Sequence, residues 1–243
     1  MEIKNKIAIV TGASSGIGYA VSIELAKKGA KVALVARSKD KLEALSKKIN
    51  SSFVIVTDMT HGDEIKKMVG KVHDHYKRVD ILVNNAGQGY DVPVEKINTT
   101  TFQHVFNLDL VGPIIAMQQV IPIMRRQGGG AIINISSGTA LMSLPNMSAY
   151  SSLKRALVGI SLTAREELQN DHISVGVVYP YITATDFEKN TIQENNLTIE
   201  SDEDRGGAPF PSDSAEYIAE KIVQGIESGE AEIYAHDWMK NNR

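Results

Sequence analysis

Residues 7–18 of the chain read IAIVTGASSGIG, a short apolar run that leads directly into a glycine-rich loop. Residues 7–10 are wholly apolar and partly β-branched, which is typical of a strand buried on both faces of a parallel sheet. After Gly18, apolar residues recur at roughly helical spacing as far as Ala26. Strand, glycine loop and helix in this order form the structural context of a dinucleotide-binding fingerprint.

Each glycine of the loop has a predicted task. Gly12 permits a tight turn, Gly16 lets the backbone approach a phosphate, and Gly18 lets the helix pack closely on the strand. The amides at the helix N-terminus would then face the pyrophosphate of a bound dinucleotide. A purely structural glycine turn is the alternative, but the flanking strand and helix favour nucleotide binding.

The second strand and the residue after it predict which dinucleotide binds. Residues 31–36 complete a βαβ unit, and Arg37 follows them. An acidic residue there would bind a ribose 2′-hydroxyl, whereas Arg37 can pair with a 2′-phosphate, in a charge-assisted bond worth about 1.5–3 kcal/mol. NADP(H) is therefore favoured over NAD(H). The alternative is a solvated arginine at a strand end, since Ser15 adds no second basic group to the loop.

The remaining chain continues to alternate between strands and helices. Further strands are predicted at residues 53–56, 80–83, 131–135, 173–178 and 231–234. We therefore predict an α/β fold: one doubly wound, Rossmann-type parallel sheet of about seven strands with helices on both faces. No linker or repeat divides the chain, so residues 1–243 are predicted to be a single domain.

Two segments are predicted to depart from regular structure. Residues 102–126 are expected to form a long helix that Pro113 and Pro122 kink, or that breaks after Gly112. Residues 186–212 are polar and lack a clear period. A loop of this length inside a compact domain is more often functional than idle, so we expect a substrate lid there.

Tyr150 and Lys154 are the first candidates for chemistry. On a helix over residues 149–168 they lie within about 40° of each other on one face. A lysine ammonium beside a phenol favours the phenolate and lowers the tyrosine pKa from about 10 toward working pH. Tyr150 is thus a candidate general acid or base. Ser137 lies thirteen residues upstream, after the fifth predicted strand.

The same spacing recurs at Tyr217 and Lys221, in a later helix. Position 204, thirteen residues before Tyr217, is aspartate, and no strand-like run precedes it. We interpret the second pair as accidental. A plain helix-surface contact is the corresponding alternative for Tyr150 and Lys154.

Composition narrows the classes of function. The 243 residues are 42% hydrophobic, enough for a sizeable core, and the net charge of −3 disfavours nucleic acid or an anionic membrane as the main partner. Cysteine is absent, which excludes disulfides and thiol chemistry, and His73 and His75 lie on different helix faces, so no metal site is predicted. No signal peptide or run of membrane-spanning length is recognised, so we expect a soluble, cytoplasmic protein.

Several motifs in one order reveal a resemblance. They are the glycine loop, Asp58 after the third strand, Asn84-Asn85-Ala86-Gly87, Ser137, and Tyr150-x-x-x-Lys154. With these motifs the chain resembles the short-chain dehydrogenase/reductase family, in the branch of about this length that has a single Rossmann-type domain. The likeness covers about residues 5–235.

The resemblance implies roles for these residues. Ser137 would hold the carbonyl or hydroxyl oxygen, Tyr150 would give or take its proton, and Lys154 would bind the nicotinamide ribose and lower the Tyr150 pKa. Asp58 would contact adenine, and Thr185 would hold the nicotinamide carboxamide. The predicted cofactor-binding residues are Gly12, Ser14, Ser15, Gly16, Ile17, Gly18, Arg37, Ser38, Asp58, Met59, Asn85, Ala86, Gly87, Tyr150, Lys154, Pro180, Thr183 and Thr185.

The chain departs from the family pattern at three positions. Asp109 stands where an asparagine usually supports a water that links the lysine to solvent, and we count Asp109 among the candidate catalytic residues. Asn107 is about 200° around a helix from it and is not an easy substitute. An ionised aspartate can accept a hydrogen bond from water but cannot donate one. Its charge near Lys154 is expected to alter the pH dependence of the proton relay. Tyr181 replaces a glycine after the proline, which places an aromatic ring beside the nicotinamide or the lid, and Gly176 replaces a common asparagine.

The predicted function is an NADP(H)-dependent carbonyl reductase or alcohol dehydrogenase acting on a small ketone, aldehyde or alcohol. A 3-oxoacyl-acyl-carrier-protein reductase is the alternative enzyme: Arg125 and Arg126 could meet an acidic carrier, but Asp171 and the acidic lid would repel it. Glu200, Asp202, Glu203 and Asp204 make up that acidic part of the lid. A non-catalytic NADP(H) sensor or scaffold is the alternative of another class. The resemblance further implies a homotetramer or homodimer.

An apolar substrate pocket is the last expectation, and each of its residues could equally belong to the core. The candidates are Leu141, Met142, Leu144, Met147, Tyr181, Phe187 and Phe210.

Overall fold

A computed structural model describes residues 1–193 and 211–241 of the chain. The described strands are β1 (Ile7–Thr11), β2 (Lys31–Ala36), β3 (Ser52–Val56), β4 (Ile81–Asn84), β5 (Tyr90–Asp91), β6 (Gly130–Ile135), β7 (Ile173–Tyr179), β8 (Ile192–Gln193) and β9 (Glu232–Tyr234). The described α-helices are α1 (Gly16–Lys27), α2 (Lys39–Ser46), α3 (Gly62–Tyr76), α4 (Thr99–Phe106), α5 (Gly112–Arg126), α6 (Ser148–Leu168) and α7 (Ala215–Ser228).

The main sheet has seven parallel strands in the order β3-β2-β1-β4-β6-β7-β9. Its central strands β1, β4 and β6 are buried along their whole length, as expected for strands that helices cover on both faces. The doubly wound sheet predicted from the apolar runs is therefore confirmed.

Two apolar layers enclose the sheet. Helices α1, α2 and α7 bury their apolar faces against one side, and α3, α5 and α6 cover the other. A third cluster joins β5, α4 and the amino-terminal half of α6, above the ends of the strands. This third layer positions α6 so that its first turns approach the crevice beyond the sheet.

The long helix predicted from Phe102 begins earlier, at Thr99, because the Asn98 side chain accepts hydrogen bonds from the amides of Thr100 and Thr101. The predicted break after Gly112 does not occur. Instead, α4 and α5 are joined by a π-helical turn, Asn107–Val111, and Pro113 lies in the first turn of α5, where its missing N–H costs little.

This run, Thr99–Arg126, has 28 residues, and its most apolar window has a mean hydropathy of 1.3. Contrary to the expectation from sequence, it is long and apolar enough to cross a membrane by those two measures alone. However, 50% of that window is buried in the fold. Residues of α5 such as Ala116 and Val120 pack in the core, so the burial is that of a core helix.

A second, two-stranded sheet was not predicted. Tyr90 pairs with Ile192, and Asp91 with Gln193, in parallel register. This pairing attaches the first part of the predicted lid to the loop after β4. Most of that lid, residues 194–210 with its acidic cluster and Phe210, lies outside the described residues.

Candidate active site

The candidate site lies where four neighbouring strands reach their carboxyl ends. β1 runs into the glycine loop, β4 into residues 85–87, β6 into Ser136 and Ser137, and β7 into Pro180. Although β1 and β4 are neighbours, the chain reaches β4 only after β2 and β3 have been laid down on the other side of β1. Such a topological switch point opens a crevice in which α/β sheets of this kind bind ligands.

Thr11 holds the two sides of this crevice together. Its hydroxyl accepts hydrogen bonds from the backbone amides of Asn85 (2.9 Å) and Ala86 (3.0 Å) and donates one to the Val83 carbonyl (3.3 Å). The Asn85 side chain returns a bond of 3.0 Å to the Thr11 carbonyl. Because Thr11 is buried, these bonds replace water that the backbone cannot reach.

The glycine loop packs closely on the neighbouring backbone and side chains. Gly12 has a φ of +67° and Gly16 a φ of +54°, which glycine adopts without strain. A Cβ on Gly12 would lie 2.7 Å from the Asn85 side-chain nitrogen, and one on Gly18 would meet the Gly12 carbonyl oxygen. A cavity of about 520 Å³ adjoins Gly16 and Thr185. The glycines therefore let the loop pack closely on Asn85 and on its own backbone, next to this cavity.

The predicted residues around this loop lie along one path. Ser15 is the N-cap of α1, and its side chain makes no capping hydrogen bond. Ser14 and Ile17 are half-buried beside it. Arg37 is exposed after β2, and Ser38 is the N-cap of α2, again without a capping bond from its side chain. Hydroxyls and a guanidinium thus follow the ends of β1 and β2.

Asp58 lies beyond β3 and is fixed by its neighbours. Its Oδ1 accepts hydrogen bonds from the Thr60 amide (2.9 Å) and hydroxyl (2.8 Å). Burial raises the pKa of the Asp58 carboxyl, but the Thr60 bonds and the nearby charges of Arg37 and His61 outweigh burial, and the net pKa is below its ordinary value. Met59 is buried, and its carbonyl lies under Gly112.

On the other side of the crevice, the segment after β7 folds back over the glycine loop. The Pro180 carbonyl accepts a bond of 2.8 Å from the Gly138 amide. The Thr183 hydroxyl donates to the Tyr181 carbonyl at 2.9 Å, whereas Thr185 lies against Gly16. Thr185 is therefore in the crevice, and the Thr183 hydroxyl is occupied by its own loop.

Ser137 and Tyr150 meet at the end of β6. The Ser137 hydroxyl accepts bonds from the Thr139 amide (3.2 Å) and hydroxyl (3.1 Å), and it lies near enough to the Tyr150 phenol to act to lower the pKa of that phenol. The Tyr150 side chain is buried in the first turn of α6. The phenol and the hydroxyl can therefore both reach one small group placed above them.

Lys154 lies one helical turn after Tyr150, as the four-residue spacing predicts. Its Nζ is 5.5 Å from the centre of the Tyr150 ring and donates to the Ile135 carbonyl at 3.1 Å. It also lies 3.0 Å from Oδ2 of Asp109, while Oδ1 of Asp109 accepts from the Gln88 amide at 2.9 Å. Lys154 and Asp109 thus form a buried ion pair directly beneath Tyr150.

The predicted lowering of the Tyr150 pKa by Lys154 is wrong as a net effect. Burial raises the pKa of the Tyr150 phenol, and Asp109 adds to this rise, so that Lys154 and Ser137 do not overcome it. Burial also raises the pKa of Asp109. Burial acts to lower the pKa of Lys154, but Asp109 and Tyr150 raise it overall. The prediction considered the charge of Lys154 but not that of Asp109, which also lies near the phenol.

Phe187 covers Tyr150 from the lid side. The two ring centres are 5.8 Å apart with the planes tilted by 53°. Gln88 fixes this segment, because its side-chain amide donates to the Asn190 carbonyl at 2.8 Å. The backbone of the same Gln88 binds Asp109, so the described start of the lid is anchored next to the buried ion pair.

Arg155 shapes the opposite rim. It donates from Nε to the Ala140 carbonyl (3.0 Å) and from a terminal nitrogen to the Met142 carbonyl (2.6 Å). Among the predicted pocket residues, Leu144 is exposed near this rim and Phe187 is exposed on the lid side, whereas Leu141 packs against the main core. Met142 and Met147 are half-buried.

Tyr181 and Tyr217, two tyrosines singled out from the sequence, both contact the carboxyl-terminal segment. The Tyr181 ring packs edge-on against His236 and Trp238, 5.9 Å and 5.4 Å away between ring centres, and thus faces the carboxyl-terminal segment. The Tyr217 hydroxyl donates to the Ala235 carbonyl at 2.7 Å, in α7 and away from the crevice. The second Tyr-x-x-x-Lys pair is thus structural.

Sequence reasoning missed Thr11, Gln88 and Arg155. Thr11 could have been suspected, because it is a polar residue that ends a wholly apolar strand. Gln88 and Arg155 act through backbone carbonyls and amides that are distant along the chain, and no spacing rule connects such partners.

Comparisons with known proteins identify the family and support the fold. The sequence profile of the short chain dehydrogenase family matches residues 6–196. The chain is 38% identical over 188 residues to a 3-oxoacyl-[acyl-carrier-protein] reductase of Staphylococcus epidermidis, covering 75% of this chain and 77% of the relative. It is 34% identical over 244 residues to the 11-beta-hydroxysteroid dehydrogenase-like protein 2 of Arabidopsis thaliana, covering 98% and 76%. A short chain dehydrogenase/reductase of Burkholderia phymatum, solved in complex with NAD, has the same fold: TM-score 0.89, 22% identity, 99% and 92% covered.

Replacing Thr11 with valine tests the hydroxyl that joins β1 to β4. Thr11→Val keeps the side-chain shape but leaves the partly buried amides of Asn85 and Ala86 without this acceptor, so we expect the free energy of unfolding to fall by about 1–3 kcal/mol. Urea denaturation measures this change. Thr11→Ser is the control, because it keeps the hydroxyl and loses only a methyl group, worth about 0.8 kcal/mol. If serine costs more stability than valine, the methyl group matters and the hydrogen bonds do not.

Proposed function

This chain belongs to the short-chain dehydrogenase family of oxidoreductases, which act on CH–OH groups, and on that premise we propose that it is an NADP(H)-dependent enzyme interconverting a ketone or aldehyde and its alcohol. The observation that carries the proposal is the convergence of Ser137, Tyr150 and Lys154 at one point of the crevice. These residues come from β6 and α6, and they lie beside the glycine loop of β1.

In the proposed reaction each side chain has one task. The Ser137 hydroxyl binds the substrate oxygen, and the Tyr150 phenol gives that oxygen a proton or takes one from it. Lys154 would hold a ribose hydroxyl of the cofactor, and it acts on Tyr150 through its charge. The bound nicotinamide supplies or accepts the hydride. Phe187 excludes water from one side of Tyr150.

Arg37 supports NADP(H) as the cofactor. Among residues 1–193 and 211–241 it has no ion-pair partner within 4.0 Å, so its guanidinium is available for a 2′-phosphate. Ser38 and the N-terminus of α2 follow directly and favour an anion at the same point. The Burkholderia phymatum structure holds NAD, but at 22% identity it informs the fold alone.

A carrier-protein reductase is a second candidate, since the Staphylococcus epidermidis relative has that activity in its name. Such an enzyme must present cations to an acidic carrier. Here Arg125 is already paired with Asp171, with Nε and Oδ2 2.7 Å apart. The pair weakens the attraction that the predicted arginine would supply, so we favour a free carbonyl substrate.

The exposed apolar residues favour an apolar substrate body. Leu144, Ile182 and Phe187 expose 43%, 41% and 37% of their surfaces, and Phe187 lies beside the Tyr150 ring. An assay of NADPH oxidation with free ketones, aldehydes and carrier-bound β-ketoacyl thioesters distinguishes the two enzymes. It also tests a purely NADP(H)-sensing or scaffolding protein, which would bind NADPH and oxidise none of the panel.

The homotetramer or homodimer implied by the resemblance remains a prediction, as do a cytoplasmic location and the single-domain division. Light scattering on the purified chain measures the number of subunits.

The proposed role of Tyr150 predicts the effect of Tyr150→Phe. Removing the hydroxyl should lower kcat by about 100- to 10,000-fold, the usual contribution of a general acid or base, while the NADPH dissociation constant changes little. Steady-state kinetics and a fluorescence titration with NADPH measure the two quantities.

The matched control is Tyr217→Phe, which removes the hydroxyl of the second Tyr-x-x-x-Lys pair and one hydrogen bond to Ala235. It should keep its kcat. Equal kcat values for wild type and Tyr150→Phe would remove Tyr150 from the mechanism.

The proposed role of Arg37 predicts cofactor preference. NADPH should bind more tightly than NADH, and Arg37→Met should weaken NADPH binding by about 10- to 100-fold, because a charge-assisted bond of about 1.5–3 kcal/mol is lost. NADH binding should hardly change. Isothermal titration measures the four dissociation constants, with Lys28→Met as a control that removes a cation paired to Glu227. Equal affinity of the wild-type protein for NADPH and NADH would refute the assignment.

A further inference from the structure

Asp109 and Lys154 form an ion pair inside the protein. The Asp109 side chain is fully buried and that of Lys154 is 5% exposed. The backbone of Gly87 passes directly over the pair, and a Cβ there would lie 2.9 Å from Asp109 Oδ2 and 3.3 Å from Lys154 Nζ. Water is therefore excluded from this side, and each charge has the other as its main compensation.

The π-helical turn carries Asp109 into the site. Asp109 is the third of its five residues, Asn107–Val111, and points inward to Lys154 and the Gln88 amide. Asn107 points elsewhere, since its side-chain oxygen accepts from Gln103 on the exposed surface at 3.0 Å. The asparagine two residues away therefore does not replace the aspartate, as the helical angle predicted.

Other titratable groups near Tyr150 are few. On the helices and strands packed against the start of α6, the described candidates are Asp109 in the π-helical turn, His104 on α4 and Asp91 on β5. Asp109 is the carboxylate that acts on both Lys154 and Tyr150, and His104 acts on Asp109 from outside. The charge balance beneath the phenol is thus set mainly by one cation and one anion.

We propose, resting on the function proposed above, that Asp109 is a positioning residue that neutralises Lys154, so that Tyr150 stays protonated and the site is set to donate a proton to a substrate carbonyl. An unpaired lysine at this place would favour the phenolate, the form that accepts a proton from an alcohol. The paired lysine leaves burial as the dominant influence, and burial favours the neutral phenol.

The consequences for the reaction follow from its proton balance. In reduction, the carbonyl carbon gains a hydride from the nicotinamide and the oxygen gains the Tyr150 proton, which leaves a phenolate until solvent returns a proton. In oxidation, the phenolate must exist first, so the rate rises with pH through the Tyr150 pKa. Asp109 raises this pKa. The rate of alcohol oxidation should therefore increase at a higher pH than it would without the Asp109 carboxylate.

Asp109→Asn tests the proposal, because asparagine keeps the shape and removes the charge. The pH at which kcat/KM for alcohol oxidation rises should move down by about one to two pH units, as expected for one charge removed at roughly 6–8 Å with an effective dielectric constant of about 20. Absorbance titration of the Tyr150 phenolate in the cofactor-free protein, measured as the difference from Tyr150→Phe, should move by the same amount. An unchanged titration in Asp109→Asn would overturn the proposal.

Asp80→Asn is the matched control. Asp80 is also a buried carboxylate, paired with Arg78 at 2.6 Å, but it lies just before β4, at the opposite end of that strand. Its replacement should leave the Tyr150 titration in place. A shift equal to that of Asp109→Asn would mean that any lost buried charge has the effect, and the specific role of Asp109 would be refuted.

If Asp109→Asn does not fold, the double variant Asp109→Asn/Lys154→Met leaves neither charge unpaired. Its Tyr150 titration should fall within about half a pH unit of the wild type, because a neutralised pair and an absent pair act alike on the phenol. A larger displacement would refute the proposal. The titration needs no turnover, so it is independent of the proposed function: an inactive wild type would refute the function, and an unmoved titration would refute only the role of Asp109.

Discussion

The Lys154 side chain is only 5% exposed, so its ammonium has lost most of its hydration, and the counter-charge that offsets this loss shapes the centre of the molecule. Asp109 supplies the counter-charge, and the π-helical turn is the local structure that directs it inward. The carboxylate in turn fixes the Gln88 amide, and Gln88 holds the Asn190 carbonyl at the start of the lid. One ion pair therefore connects a helix irregularity, the loop after β4 and the cover over Tyr150.

The sheet supplies the frame for that pair. Because β1, β4 and β6 are adjacent and parallel, residues more than a hundred positions apart in the chain end at one edge. Thr11 closes the gap between β1 and β4 with three hydrogen bonds, and the buried amide pair of Asn84 and Asn134, 2.8 Å apart, joins β4 to β6. Polar groups at this edge thus hold the strands together, and the crevice lies beside them.

The fold was predictable because its signals are local. Apolar runs, the glycine loop and helical spacing each occupy a few consecutive residues, and the seven-stranded sheet follows from them. The proximity of Tyr150 and Lys154 was predictable for the same reason. The direction of the Tyr150 pKa shift was not predictable, because it depends on Asp109, 41 positions away, and on burial. The contacts of Gln88 and Arg155 were equally inaccessible, because they involve backbone atoms of distant segments.

Arg37 and Arg125 show why a cation alone does not define a binding surface. Both are exposed arginines. From the sequence, Arg37 is a candidate to bind a 2′-phosphate and Arg125 a candidate to bind an acidic carrier protein. Arg125 lies 2.7 Å from Asp171, so an incoming anion must compete with a carboxylate that is already in place. In the part of the chain that the structure describes, Arg37 interacts at longer range with Asp58, whose Oδ1 accepts a hydrogen bond from Thr60. An anion that approaches Arg37 therefore meets no carboxylate within ion-pair distance among residues 1–193 and 211–241, whereas an acidic protein that approaches Arg125 must compete with Asp171.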